Sequence, residues 1–151
     1  MIKKGVDLRW LLIRHEGLRL KPYLDTAGKL TIGVGRNLDD KGITHAEAIA
    51  LLDKDIADAT NDCLHAFPWF ADLTQERQWV IVSMVFNMGL AGVQKFKRMI
   101  GYLELGDYAG AAKEMRESRW AKQVGVRADE LEVMMKGSPL DPCAARGAGP
   151  P

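Results

Sequence analysis

Three residues with catalytic uses stand close together near the start of this 151-residue chain: Glu16, Asp25 nine positions on, and Thr31 six further. Glu16 follows Leu12 by four and Ile13 by three, so it is expected beside an apolar helix stripe and at the negative end of the helix dipole. Both settings disfavour a carboxylate charge. An acid kept partly protonated near neutral pH is what a general acid requires. Asp25 opens Asp-Thr-Ala-Gly, which has the chemistry of an Asx turn. Thr31 shares a strand face with Gly33 and Gly35, along which a ligand could approach the backbone. Each residue also has a plain reading: an ion-paired glutamate, a turn aspartate and a solvated strand threonine. Together they supply two carboxylates and a hydroxyl, and two carboxylates flanking a scissile bond is the logic of glycoside hydrolysis.

The elements that must position them follow from periodicity. Val6, Trp10, Ile13 and Gly17 recur at helical spacing and predict a first helix over about 6–16 with Gly17 as its stop. Between Arg19 and Arg36, Leu30, Ile32 and Val34 alternate with Thr31, Gly33 and Gly35, which predicts a β-hairpin, with a weaker third strand near 38. Thr44 precedes Glu47 by three, a capping box. Ala46, Ile49, Leu52, Ile56 and Ala59 then give an acidic amphipathic helix to about 64. Phe67-Pro-Trp-Phe70 breaks it, and Thr74 caps a helix whose Trp79–Phe86 run is apolar almost all round, a mark of central burial. Ser83 and Asn87 give that helix one polar stripe. Further helices are predicted over Val93–Leu105, Tyr108–Glu117, Arg119–Gln123 and Arg127–Met135. The expected class is α+β: one domain over 1–137 with a first helix at 6–16, lobes of about 17–66 and 67–137, a helix joining them and a cleft between. The Pro/Gly/Ala-rich residues 138–151 are expected to form a flexible tail.

The segment His15-Glu-Gly-Leu-Arg-Leu-Lys-Pro-Tyr-Leu-Asp-Thr-Ala-Gly-Lys-Leu-Thr-Ile-Gly-Val-Gly35, with Phe86-Asn-Met-Gly89 and Ser118-Arg-Trp120 followed by Arg127-Ala, resembles the phage-type lysozymes, glycoside hydrolases of the T-even phage kind. The resemblance covers about residues 6–137. It implies a lysozyme-like fold and an endolysin that cleaves the β-1,4 bond between N-acetylmuramic acid and N-acetylglucosamine by an inverting route. Glu16 would be the general acid, Asp25 the second carboxylate and Thr31 the hydroxyl that helps hold the attacking water. It also places Arg127 near the catalytic glutamate and Asn37 and Phe86 at saccharide contacts; the polar stripe through Ser83 and Asn87 could then face the cleft. Met99 and Glu114 stand where the best-known relatives carry small polar saccharide-binding side chains, and read here as core filler and a solvated helix residue. A lytic transglycosylase and a non-catalytic peptidoglycan-binding domain are the competing readings; Asp25 and Thr31 disfavour the first, because only hydrolysis needs a positioned water.

Other chemistries are weakly signalled. His15-Glu-Gly-Leu-Arg19 lacks the second histidine of a zinc helix, and His45 and His65 form no ligand cluster, so no metal and no other cofactor is expected. Gly33-Val-Gly35 continues without a third glycine. Trp69, Trp79 and Trp120 read as core. The net charge of +1 disfavours nucleic acid as a partner. It conceals a local +5 over residues 1–36 and −5 over 37–66. Cys63 and Cys143 read as free thiols. No early or later apolar run suits a signal sequence or a membrane span, so no stable membrane insertion is expected; a monomer is the expected state. It is made in the host bacterial cytoplasm and released to the wall at lysis through a holin-type membrane partner.

Overall fold

The computed structural model describes residues 7–138. Its elements run α1 (Leu8–Glu16), β1 (Arg19–Leu24), β2 (Leu30–Gly33), β3 (Arg36–Asn37), α2 (His45–Ala66), a short 3-10 turn (Phe70–Asp72), α3 (Gln75–Gln94), α4 (Lys97–Glu104), α5 (Tyr108–Arg116), α6 (Arg119–Val124) and α7 (Val126–Lys136). This is the expected α+β class. The chain divides into two compact units, Met1–Leu51 and Leu52–Pro151, with the division inside α2. The tail expected at 138–151 lies outside the described residues from 139 onward, and Cys143 with it.

In the first unit α1 begins at Leu8 because Asp7 caps it, its Oδ1 accepting from the Trp10 amide at 2.8 Å. Gly17 ends it at φ 79°. The apolar stripe foreseen in this helix is present but uncovered: no α1 residue is buried, since three strands of six, four and two residues are too small to shield it. The sheet is antiparallel in the order β1-β2-β3. The third strand sits at Arg36–Asn37, slightly before the expected position. Tyr23 pairs with Thr31, and Thr31 with Asn37, across the sheet.

Polarity does not sort the faces of β2. Leu30 is exposed and Ile32 half-buried, while Thr31, whose plain reading is a solvated strand residue, is only 3% exposed. A buried hydroxyl needs a partner, and Thr31 finds one locally by donating to the Lys29 carbonyl at 2.9 Å. The capping box is as read: the Glu47 amide donates to Thr44 Oγ1 at 3.1 Å and the Thr44 amide to Glu47 Oε1 at 3.2 Å. The helix it starts runs two residues past 64, to Ala66.

The second unit has a continuous apolar core. Val80, Ile81, Val82, Met84 and Val85 of α3 are buried, but Trp79 and Phe86 at the ends of the apolar run are about half exposed, at 53% and 51%. Trp79 is thus not core, whereas Trp69 and Trp120 are. Phe67 and Trp69 stack at 4.7 Å between ring centroids. The helix expected over Val93–Leu105 is two: α3 bends at Gly89 (φ 79°, ψ 162°) and ends at Gln94. Phe96, at ψ 59°, then turns the chain into α4, so that Val93 and Met99 both reach the core. Asp107 and Ser118 cap α5 and α6, contributions of about 1 kcal/mol each. Met84, Met99, Met115 and Met135 lie at 0–1% exposure, where an unbranched thioether fills irregular gaps between helices. Met99 is core as expected. Glu114 is not solvated: its side chain is 18% exposed and faces Arg98 Nε at 3.8 Å.

Candidate active site

Glu16 occupies the last position of α1, where Gly17 turns the chain toward the sheet. It is exposed, not sheltered by the helix stripe, because that stripe is itself uncovered. Its carboxylate lies instead against the turn between β2 and β3. A Cβ placed on Gly35 would stand 3.3 Å from Glu16 Oε2 and 3.7 Å from Glu16 Cβ, and Gly35 has φ +67°. The glycine is therefore fitted twice, once for its conformation and once for the close approach. The cleared strip exists at Gly35, but what approaches it is Glu16.

Asp25 forms the expected Asx turn. Its Oδ1 accepts from the amides of Ala27 and Lys29, both at 2.8 Å, and among the described residues its Oδ2 accepts no hydrogen bond. The Asp25 amide donates to the Lys29 carbonyl at 2.9 Å, the same oxygen that takes the Thr31 hydroxyl. One main-chain oxygen thus fixes the backbone of the aspartate and the side chain of the threonine. With its hydrogen engaged there, Thr31 Oγ1 faces any further partner as an acceptor.

The loop after β3 is stitched by residues the sequence pattern did not single out. Asp39 Oδ2 accepts from the Leu30 amide at 2.7 Å. Asp40 takes Lys29 Nζ at 3.1 Å and closes a ring with Asn37, whose Nδ2 donates to Asp40 Oδ2 while its Oδ1 accepts from the Asp40 amide, both at 2.9 Å. The Asn37 side chain, expected at a saccharide, is therefore engaged within its own turn. Paired aspartates two and three residues after an asparagine were the available signal, since short acids favour such turns. Tyr23, beside Thr31 in the register, carries Arg19 over its ring at 4.4 Å.

Glu16, Asp25, Thr31 and Asn37 fall in the first unit; Phe86, Asn87 and Arg127 fall in the second. Phe86 borders a hollow of about 280 Å³ with Asp55, Asp58, Asp62, Gly89 and Leu90. Asn87 is engaged at its oxygen: its Oδ1 accepts from Trp120 Nε1 at 2.9 Å and ties α3 to α6, which satisfies an indole buried in the core. Arg127 is exposed on the first turn of α7 and makes no ion pair among the described residues. No three of the His, Cys, Asp and Glu side chains described stand where they could hold a metal ion.

Comparison with known proteins agrees with the resemblance in the sequence. The phage lysozyme family model matches residues 13–134. The endolysin of Acyrthosiphon pisum secondary endosymbiont phage 1 is 38% identical over 78% of this chain and 80% of its own length. The SAR-endolysin of Escherichia phage Mu is 34% identical over 78% of this chain and 67% of its own. The pre-baseplate central spike protein of Enterobacteria phage T4 is 31% identical over 87% of this chain, which spans only 28% of that larger protein.

Proposed function

The chain belongs to the phage lysozyme family, and from that premise we propose that it is an endolysin-type muramidase. It hydrolyses the β-1,4 bond between N-acetylmuramic acid and N-acetylglucosamine in peptidoglycan, with inversion, during host cell lysis. The observation that carries the reading is the Lys29 carbonyl holding Asp25 and Thr31 together, with Glu16 braced against Gly35 in the same unit.

Glu16 gives its proton to the glycosidic oxygen as the carbon–oxygen bond breaks. A water attacks the anomeric carbon from the opposite face. Asp25 Oδ2, which accepts no hydrogen bond among the described residues, takes the proton that this water loses, and Thr31 Oγ1 accepts from its remaining O–H. The two carboxyls end with protonation states exchanged and are reset through solvent. Glu16 is exposed in the free enzyme, so the bound glycan itself supplies the covering that excludes water from the acid. Phe86 and Arg127, both exposed, are the saccharide contacts proposed from the second unit.

Glu16→Gln tests the assignment. Clearing of purified peptidoglycan should fall by about 10²–10⁴-fold, the usual worth of a general acid, while far-UV circular dichroism stays unchanged; a variant keeping more than about a tenth of the rate refutes it. Product mass spectrometry separates the remaining readings: new reducing muramic ends support hydrolysis, anhydro-muramyl ends mean a transglycosylase, and wall binding without new ends means a binding domain. Delivery through a holin-type partner is part of the proposal. Fractionation decides it, since full-length protein appearing in the periplasm before the membrane is permeabilised contradicts that route.

A further inference from the structure

We propose that Arg36 is a positioning residue for Glu16, acting through the turn on which the Glu16 carboxylate rests. Arg36 follows Gly35 directly and opens β3, a strand of only two residues. No side chain between 33 and 37 is buried, so this turn has little packing beneath it. Beyond the short ladder to β2, its side-chain anchor is the Arg36 guanidinium. Its Nη2 lies 3.1 Å from Glu47 Oε2, and its Nη1 donates to Glu47 Oε1 and to the Gly42 carbonyl, each at 3.3 Å. Two nitrogens on two carboxylate oxygens is the forked geometry only arginine offers.

Glu47 is itself fixed, because it closes the capping box with Thr44 at the start of the 22-residue helix α2. A continuous path of contacts therefore runs from the capped end of α2 through Glu47 and Arg36 to Gly35 and the Glu16 carboxylate. Asp25 and Thr31 share a further tie, the Lys29 carbonyl, that does not pass through Arg36 or Glu47. An acid displaced from the glycosidic oxygen by a fraction of an ångström loses rate without losing substrate affinity.

This inference rests on Glu16 as the proton donor, and the experiment separates the two. Steady-state kinetics on soluble peptidoglycan fragments are measured for Glu16→Gln, Arg36→Met, Arg36→Lys, Glu47→Gln and the Arg36→Met/Glu47→Gln double variant, at a temperature where circular dichroism shows each folded. Glutamine keeps the capping hydrogen bond but not the ion pair. Arg36→Met and Glu47→Gln should each lower kcat by about 10- to 100-fold, the usual cost of misplacing a reacting group, with KM little changed. Arg36→Lys should recover part of the loss, and the double variant should fall no further than the worse single. If Glu16→Gln is inactive while folded Arg36→Met keeps full kcat, or if the two losses add, the positioning role is wrong and the acid assignment stands. If Glu16→Gln is active, both fall. Should Arg36→Met not fold, Glu47→Gln decides alone: unchanged kcat overturns the proposal and a loss in kcat at constant KM supports it.

Discussion

Among the described residues before position 52 only Thr31 is buried, whereas every buried apolar side chain lies at Ala59 or beyond. The first unit is stitched by polar contacts: Asp25, Asp39 and Asp40 on loop amides and a lysine, Thr44 and Glu47 on each other, Arg36 on Glu47. A single hydrogen bond of this kind contributes about 0.5–1.5 kcal/mol net, while one fully buried large apolar side chain contributes about 1.5–3 kcal/mol. The proposed chemistry therefore stands on the weakly held unit and most of the stability on the other. Sites that must admit and release a polymer are drawn from the low-stability end of a fold. Substitutions in the two units should accordingly act on different observables.

The largest effect expected on stability lies in the second unit. Phe70 is 1% exposed within the core, and Phe70→Ala should cost about 3–5 kcal/mol, read as a shift of the urea midpoint. The same loss from removing Thr44, a cap worth about 1 kcal/mol, would break the comparison. An intermediate effect comes from Cys63. Burial first, and Asp62 second, push its thiol up from 9.0 to about 11. The unfolded thiol therefore ionises before the folded one, and stability is lost as pH rises from about 9 to 11, by roughly 1.4 kcal/mol for each pH unit of the gap. In a Cys143→Ser background, Cys63 should react with a thiol reagent only through opening of the second unit; rapid labelling at neutral pH would contradict this.

The smallest effect is acidic and belongs to the first unit. The Glu47 carboxyl is held below 4.5, chiefly by its hydrogen bonds to Thr44 and then by the Arg36 charge. Its contribution is present above the unfolded value and is lost as pH falls below about 4.5 and through the lowered folded value. Amide exchange of β2 and β3 should quicken over that range in the native chain and not in Glu47→Gln. Equal acceleration in both, or in α3 as well, would show that the two units do not separate in this way.

What could be read from the sequence was local. The Thr44–Glu47 box, the Gly17 stop and the Asp25 turn each depend on residues within four positions, and the run from Val80 to Val85 declares its own burial. The burial of Thr31 beside an exposed Leu30 was not legible, because alternation sorts residues by polarity and the Thr31 hydroxyl is satisfied by a neighbouring main-chain oxygen that has no letter. Asn87 with Trp120, 33 residues apart, and Arg36 with Glu47, eleven apart, are products of the fold. Trp79 and Phe86 misled for the opposite reason: apolar character predicts burial on average, and at the two ends of a buried helix segment the core had run out. Of the proposed site, Glu16, Asp25 and Thr31 stand out by type and spacing, whereas Asp39, Asp40 and Arg36, whose contacts with Leu30, Lys29 and Glu47 appear only in the fold, do not.

The oxygen at which Asp25 and Thr31 converge belongs to the backbone of residue 29, and every amino acid supplies that atom. The lysine side chain there makes only a partly exposed ion pair with Asp40, a contact worth little. Proline apart, which would remove the amide that donates to Asp25, the identity of residue 29 is thus free to drift, or to be chosen by an engineer, while the geometry it sets is inherited unchanged. The least mutable part of the proposed water-holding apparatus is a carbonyl that no codon change can remove.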